Sequence, residues 1–337
     1  MAYPWHKAPF SELLGRRSTL PHALLLQGPR GIGKLAFAEA FARALLCERP
    51  GPEGHACGQC ASCHWIEQGG HPDVRRLEPE SISEAEAGLP GERREKASHQ
   101  ISVGQVRGIA DFINVTSHRG QAKIVLIHPA ESLNVSAANA LLKNLEEPPP
   151  RTYFLLVAHR WQRVLPTIKS RCELVPLALP AASAASEWLK GEGIASADLA
   201  LAQAGGAPLL AAGFDEEYWR QREGFLKAIS GKSPDALAIA EQLRDQPLEQ
   251  IVGWLQKWSY DIASHKATGA VRYNPDFASA IAAASRRVEL LEAVRFLRGM
   301  TRLQRIVTHP LNARLFFEEL LLSYVGLLQG SPQESTA

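Results

Sequence analysis

The stretch LLLQGPRGIGKL, from Leu24 to Leu35, contains most of a phosphate-binding loop and lacks its final residue. Such a loop has the pattern G-x-x-x-x-G-K-[ST] between a buried strand and a helix, and Gly28, Gly33 and Lys34 have this spacing. The glycines let backbone N–H groups face an anion, while the lysine supplies a positive charge. Leu35 replaces the hydroxyl that would help to hold Mg²⁺, so phosphoryl transfer loses a metal ligand. We expect a vestigial phosphate loop without retained catalysis; the alternative is a plain turn between a strand and a helix.

Length, composition and charge indicate a soluble globular protein with more than one domain. With 337 residues the chain suggests two or three domains, and its net charge of +2 is too small to imply a global attraction to nucleic acid or membrane. The N-terminus MAYPWHKAPF lacks the apolar core of a signal peptide, and no apolar run approaches transmembrane length. We therefore expect a cytoplasmic protein. In that reducing compartment its five cysteines are not expected to form a disulfide framework.

Four cysteines follow the first predicted long helix with the spacing C-x9-C-x2-C-x2-C; they are Cys47, Cys57, Cys60 and Cys63. Thiolates separated by two residues can both reach one ion from a tight turn, and four soft ligands suit tetrahedral Zn²⁺. With no open position and no carboxylate among the ligands, such a zinc site would be structural. Cys47 is the least certain ligand, with His55 or His64 as substitutes. Four reduced free thiols are the alternative.

The second motif of an active ATPase with this loop, a strand that ends in a carboxylate, is missing. The apolar run Lys123–Ile127 predicts a central parallel strand, but His128 and Pro129 follow it. Glu131 lies too far along the chain to be assumed a replacement. A lone histidine such as His128 is more often packed or hydrogen-bonded than a ligand.

The remaining pattern predicts alternating strands and helices in the first half of the chain and helices alone in the second. Val103–Ile113 is predicted as one helix with Ser102 as its N-cap, and Glu78–His99 as an exposed loop. The other elements predicted for the first half are helices near 10–14, over 34–46, from 134 to the prolines at 148–149 and from 166, and strands at 22–27, 71–77, 152–158 and 173–177.

Several of these motifs together resemble one protein family. They are the modified phosphate loop, the four-cysteine insertion, the run NALLKNLEEPP from Asn139 to Pro149, and the tripeptide Ser170-Arg171-Cys172. The first half of the chain, to about Leu179, is similar to the delta prime family of clamp-loader subunits of bacterial DNA polymerase III, which are non-catalytic members of the AAA+ superfamily. The second half is similar only in its helical layout.

The resemblance implies a role for Arg171, with Ser170 and Cys172 as the context of its SRC motif. In the family this arginine finger reaches across a subunit interface to the γ-phosphate of ATP on the neighbour, where it neutralises charge that develops in phosphoryl transfer. The residues alone favour a structural arginine paired with a nearby carboxylate, and the resemblance reverses that preference. Cys172 is expected to be a core thiol. A polar nucleotide sensor is also missing, because Ala158 and His159 end their strand instead.

The resemblance and the composition together divide the chain into three domains and a tail. Residues 1–179 are predicted to form an α/β AAA+ P-loop domain, a parallel sheet with helices on both faces, which contains the zinc module 47–63. Residues 180–213 form a small three-helix lid, 214–330 an all-α oligomerisation (collar) domain, and 331–337 a disordered tail. Aromatic residues of the second half are expected to pack in its core, and a stripe of arginines between 286 and 305 to form a solvated face or an oligomer contact.

The leading hypothesis is a non-catalytic clamp-loader subunit that helps to load a sliding clamp onto primed DNA during replication. The resemblance implies its partners, namely the gamma/tau ATPase subunits, the delta subunit, the beta clamp and primer-template DNA, with no membrane. It also implies that this chain does not hydrolyse ATP/Mg²⁺ itself, although it belongs to a DNA-directed DNA polymerase holoenzyme, a nucleotidyltransferase complex.

Two alternatives remain at this stage. The first is an active AAA+ ATPase subunit of gamma/tau type, which Leu35, His128 and Pro129 oppose because they provide neither hydroxyl nor carboxylate. The second is a zinc-containing nucleic-acid-binding protein, which is opposed by the scarcity of lysine and arginine beside the cysteines.

Overall fold

The computed structural model describes residues 3–86, 97–118, 122–303 and 312–330. The chain forms two compact units, Met1–Ala184 and Ala185–Ala337. The finer division into a lid and a collar stays a prediction, and the tail 331–337 lies outside the described residues.

The first unit is built on a parallel sheet whose strands are β1 Ala23–Gln27, β2 Val74–Leu77, β3 Lys123–Ile127, β4 Thr152–Ala158 and β5 Glu173–Pro176. The order across this five-stranded sheet is β2-β3-β4-β1-β5, so the strand before the phosphate loop lies between β4 and β5. Almost every residue of β1, β3 and β4 is buried, as expected for parallel strands covered on both faces. The predicted α/β fold, built on a parallel sheet, is confirmed.

Within the described residues, the α-helices of the first unit are α1 Lys7–Gly15, α2 Lys34–Leu46, α3 Ala61–Glu67, α4 Glu80–Glu86, α5 Val103–Gly108, α6 Ala110–Asn114, α7 Val135–Glu146 and α8 Pro166–Lys169. Three elements, α2, β3 and β4, begin and end at the residues predicted from the sequence. Helix α7 begins after the N-cap Asn134, whose side chain accepts a hydrogen bond from the N–H of Ala137, and ends before the prolines at 148–149.

Two sequence predictions in this unit were wrong. Part of the loop predicted at Glu78–His99 is the helix α4, and residues 87–96 lie outside the described ranges. Glu80 lies in the first turn of α4, where its negative charge interacts favourably with the helix dipole. The N–H of Ser81 donates a hydrogen bond to the carbonyl of Ser98. The helix predicted at 103–113 is divided into two helices, α5 and α6. At the division the N–H of Ile109 donates to the carbonyl of Val106, three residues earlier, as in a 3₁₀ turn. The predicted cap is confirmed, since Ser102 and Gln105 form a capping box.

The remaining helices are α9 Ala182–Gly191, α10 Ala197–Gln203, α11 Pro208–Ala212, α12 Glu216–Ile229, α13 Ala236–Leu243, α14 Leu248–Thr268, α15 Ala278–Arg287, α16 Leu290–Leu303 and α17 Ala313–Gln329. The break between α15 and α16 was not predicted. The helices of the second unit enclose a hydrophobic core in which aromatic residues pack as predicted. In this core the buried indole of Trp258 donates to the hydroxyl of Tyr324 at 2.7 Å. The described arginines of the predicted stripe are exposed; they are Arg286, Arg287, Arg295, Arg298 and Arg302, whereas Arg305 lies outside the description.

A buried arginine ties together separate segments of the second unit. The side chain of Arg222, on α12, is 1% exposed, and its guanidinium contacts both carboxylate oxygens of Asp276 at 2.7 and 2.9 Å. It also donates to the amide oxygen of Asn274 at 2.8 Å, while the buried carboxylate of Asp261 accepts from backbone N–H groups of the same loop. The guanidinium also lies over the rings of Trp219 and Phe277, at 5.4 and 5.7 Å from their centroids.

Across the described ranges, every helix is too short or too polar to span a bilayer.

Replacing Arg222 with alanine is expected to destabilise the second unit by about 3 kcal/mol, because Asp276 and Asn274 lose a buried cationic partner. Urea unfolding followed by circular dichroism measures this change. The matched control is Arg220→Ala, whose side chain is 78% exposed, with an expected change within about 0.5 kcal/mol. Equal effects of the two substitutions would contradict a structural role for the Arg222 network.

Candidate functional site: a modified phosphate loop and a surface arginine

The predicted phosphate loop joins β1 to α2 at the carboxyl edge of the sheet. Gly28 passes so close to the neighbouring chain that a Cβ there would lie 2.1 Å from the carbonyl oxygen of Leu177. Gly33, the N-cap of α2, has a φ of 86°, in the left-handed region that favours glycine. The two glycines that the motif requires therefore have the close backbone approach and the left-handed conformation of a phosphate loop.

Lys34 is turned back onto its own loop. Its side chain is buried, and its ammonium donates to the carbonyl oxygen of Pro29 at 2.5 Å. Burial lowers the pKa of Lys34 to about 8. The ammonium group that would contact a phosphate in a phosphate loop is thus hydrogen-bonded to a backbone carbonyl.

The aromatic N-terminal segment packs against the same loop. The indole of Trp5 donates to the carbonyl oxygen of Ile32 at 2.9 Å, and Tyr3 stacks on Trp5 with 5.0 Å between ring centroids. A Cβ on Gly33 would lie 2.4 Å from the Tyr3 ring, so the ring contacts the loop backbone directly. These contacts were not predicted, because no local pattern links residues 3–6 to residues 32–33.

Two histidines stand where the carboxylate and the polar sensor of an active ATPase would be. His128 follows β3 and His159 follows β4, and their Nε2 atoms are 3.2 Å apart. Burial lowers the pKa of His128 to about 4 and that of His159 to about 3, so both imidazoles are neutral near pH 7. The predicted hydrogen-bonded role of His128 fits this geometry.

The side chain of Glu131 contacts the backbone that follows β4. Its carboxylate accepts hydrogen bonds from the backbone N–H groups of His159, at 3.0 and 3.2 Å, and of Arg160, at 2.9 Å. The carboxylate therefore fixes the turn that follows β4.

Arg171 lies between α8 and β5, and about a third of its side chain is exposed. Its Nε donates to the carboxylate of Glu146 at 2.8 Å, and its Nη2 contacts the same carboxylate. Nη1 donates to the carbonyl oxygen of Thr167 at 2.9 Å and to the hydroxyl of Ser170 at 3.3 Å. The carboxylate partner that the residues alone favoured is present, and no local pattern identifies it as Glu146.

Cys172, the third residue of the SRC motif, packs against the core beside the sheet. Burial raises the pKa of its thiol to about 12, as expected for a core thiol. It does not belong to the cysteine cluster of this unit.

The four cysteines of the predicted metal site come together. The sulfur atoms of Cys47, Cys57, Cys60 and Cys63 all lie within 4.8 Å of one another, and the group could hold a metal ion. Cys47, the least certain ligand, is part of this group. The two proposed substitutes have other neighbours, since His55 stacks on Phe10 and His64 lies 3.0 Å from the amide of Gln68.

Backbone N–H groups point at these sulfurs. Cys47 accepts from the N–H of Cys57 at 3.2 Å, Cys60 from the N–H of Cys63 at 3.4 Å, and Cys57 from the N–H of Gln59 at 3.4 Å. The contact with Gln59 lowers the pKa of Cys57 to about 6, whereas burial raises that of Cys63 to about 12. Such N–H groups favour thiolates, which are the metal-binding form of cysteine.

The fold and the loop define a class of protein. A parallel sheet in which a glycine-rich loop joins β1 to the following helix is typical of P-loop proteins. In this chain Leu35, His128 and Pro129 replace the loop hydroxyl and the strand carboxylate.

Comparisons with known proteins identify the family within this class. A family model described as DNA polymerase III, delta subunit matches residues 11–180, and one described as DNA polymerase III, delta subunit, C terminal matches residues 216–325. DNA polymerase III subunit delta' of Pseudomonas aeruginosa is 40% identical over 79% of this chain and 78% of its own length. The Escherichia coli (strain K12) protein of the same name is 31% identical over 97% and 96%. The chain belongs to the family of DNA polymerase III delta' subunits.

Among solved structures, a DNA polymerase III gamma subunit-related protein of Thermotoga maritima aligns with a TM-score of 0.43 and 18% identity, over 95% of this chain and 99% of that chain.

The neutral histidines predict a specific pH dependence of stability. Their folded pKa values lie below the unfolded value of about 6.5, so the unfolded chain binds more protons as the pH falls from about 6.5 toward 4. Stability should therefore be full above pH 7 and decrease on acidification through this range. The double variant His128→Gln/His159→Gln should lose less unfolding free energy between pH 7 and pH 5 than the native chain, as measured by urea unfolding.

The control for this comparison is His118→Gln, at an exposed residue, which should leave the difference between pH 7 and pH 5 unchanged. An equal pH dependence in the native chain and the double variant would show that these two imidazoles already bind protons in the folded state.

Proposed function

We propose that the protein is a non-catalytic subunit of the DNA polymerase III clamp loader, which helps to load the beta sliding clamp onto primed DNA in the cytoplasm. The observation that carries this proposal is the match to the Escherichia coli delta' subunit along 97% of the chain. Its partners in this role are the gamma/tau ATPase subunits and the delta subunit, and through the complex the clamp and the primer-template DNA.

The modified phosphate loop supports a non-catalytic role. Mg²⁺ needs oxygen ligands, and the loop and strand positions that would supply them hold Leu35, His128 and Pro129. Lys34 is bonded to Pro29, and neutral imidazoles replace the acid. These substitutions oppose the alternative of an active gamma/tau-type ATPase.

We propose further that Arg171 acts on the ATP of a neighbouring subunit. Because β5 runs parallel to β1, Arg171 lies at the amino edge of the sheet, whereas the phosphate loop follows the carboxyl end of β1. A strand of four residues spans about 13 Å, so the arginine cannot reach the loop of its own chain. About a third of the Arg171 side chain is exposed, which suits a phosphate supplied by another subunit.

Arg171→Ala in a complex reconstituted with gamma/tau and delta should lower the DNA- and clamp-stimulated ATPase rate by about ten-fold or more. The reason is that the neighbour loses a cation that stabilises charge on the transferring phosphoryl group. The control is Arg163→Ala, another exposed arginine of the same region, which should leave the rate unchanged. Assembly of every complex is verified by size-exclusion chromatography.

An unchanged rate in an intact Arg171→Ala complex would contradict the arginine-finger role and leave the chain a structural subunit. ATP hydrolysis by the purified chain alone would instead revive the active-ATPase alternative.

We propose that the ion held by the four cysteines is structural zinc. An all-thiolate, four-ligand set suits tetrahedral Zn²⁺ and leaves no open position for catalysis. The sulfur separations and the N–H groups directed at the sulfurs fit such an ion. The ion would stabilise the segment between α2 and α3, whose own buried core consists of little more than the cysteines.

Cys60→Ser should remove zinc from the purified chain and lower its thermal stability, because one of four ligands and its share of the binding energy are lost. Inductively coupled plasma mass spectrometry should find about one zinc ion per native chain. Cys172→Ser, which changes a cysteine outside the cluster, should keep the full zinc content. A native chain without stoichiometric zinc would overturn the proposed cofactor.

A further inference from the structure

Arg171 is held within its own chain by four hydrogen bonds from three nitrogen atoms. Nε and Nη2 bond to one carboxylate oxygen of Glu146, and Nη1 bonds to Thr167 and Ser170. A guanidinium has five N–H groups, so these bonds leave one N–H on Nη2. Among the described residues, no acceptor takes that remaining N–H.

The carboxylate that holds Arg171 has a rigid support. Glu146 is the last residue of α7, and the neighbouring Leu145 is buried against the sheet, as is Leu141 one turn earlier. The carbonyl oxygen of Leu145 also lies 2.7 Å from the imidazole of His22, just before β1. The end of α7 is therefore fixed to the amino edge of the sheet, where Arg171 also lies.

The end of a helix is a favourable place for a cation. The unpaired carbonyl groups of its last turn carry partial negative charge, which adds to the charge of the Glu146 carboxylate. An unsupported arginine side chain would lose considerable rotamer entropy on meeting a phosphate. The contacts with Glu146 fix the guanidinium before any partner arrives.

We propose that Glu146 is a positioning residue for Arg171, which holds the guanidinium so that its remaining Nη2 N–H is available to a phosphate of a neighbouring subunit. The inference rests on the proposed arginine-finger function. Glu146 acts through Arg171 and does not itself touch nucleotide, because a carboxylate would repel the γ-phosphate.

The Glu146–Arg171 pair can be tested without unfolding the chain. The Glu146 side chain is 48% exposed and that of Arg171 31%, so solvent screens the pair and its contribution to stability is small. Glu147, the next residue, is also exposed and forms no hydrogen bond or ion pair with Arg171 within the described chain. Glu147→Ala is therefore a matched control for Glu146→Ala.

The experiment measures kcat and KM for ATP in the DNA- and clamp-stimulated reaction of the reconstituted complex. Glu146→Ala should lower kcat by about five-fold or more, with little change in KM, because the arginine is less well placed in the transition state. Glu146→Gln should retain more of the rate, since its amide oxygen still accepts from Arg171. Glu147→Ala should behave as the native chain.

The double variant Glu146→Ala/Arg171→Ala separates positioning from a general structural effect. If Glu146 acts through Arg171, adding Glu146→Ala to Arg171→Ala causes no further loss of rate. A further loss equal to that seen in the native background would overturn the inference. A raised rate in Glu146→Ala would also overturn it, because Glu146 would then compete with the phosphate for the arginine.

The rate of the single variant Arg171→Ala separates the arginine-finger function of Arg171 from the positioning role of Glu146. If Arg171→Ala lowers the rate and Glu146→Ala leaves it unchanged, the arginine-finger function stands and the positioning role is wrong. If Arg171→Ala itself leaves the rate unchanged, the proposed function fails, and the positioning role fails with it.

Discussion

The parallel pairing of β1 with β4 on one side and β5 on the other is the constraint on which the functional geometry depends. It places the phosphate loop beside the ends of β3 and β4 at the carboxyl edge of the sheet. It places the start of β5, and with it Arg171, at the amino edge. The modified phosphate loop and Arg171 are thus separated by about the length of a strand.

The carboxyl edge of the sheet has the backbone geometry of a phosphate loop but lacks the hydroxyl and the carboxylate of an active ATPase. Gly28 and Gly33 keep the close approach and the left-handed turn of a phosphate loop. The polar atoms that would surround a metal and a phosphate are replaced by two neutral imidazoles and by a lysine bonded to a backbone carbonyl. Burial stabilises the uncharged state of both histidines.

Much of this architecture could be predicted from the sequence, because buried parallel strands and capped helices leave strong local patterns. Two strands and one helix have their predicted bounds; they are Lys123–Ile127, Thr152–Ala158 and Lys34–Leu46. The four cysteines of the predicted metal site also lie together. The contacts of Tyr3 with the phosphate loop and of Arg171 with Glu146 join residues distant in the chain, which no periodicity encodes. The α4 helix was missed because its polar residues are equally typical of an exposed loop.

The central claim is that this chain supplies a cation to ATP bound by its neighbour. Its most direct test is a cryo-electron microscopy structure of the complex assembled with gamma/tau, delta and a non-hydrolysable ATP analogue. The account predicts that an Arg171 nitrogen lies about 3 Å from a γ-phosphate oxygen of the adjacent subunit. A well-ordered interface with the guanidinium more than about 6 Å from every phosphate, beyond hydrogen-bonding distance, would contradict it.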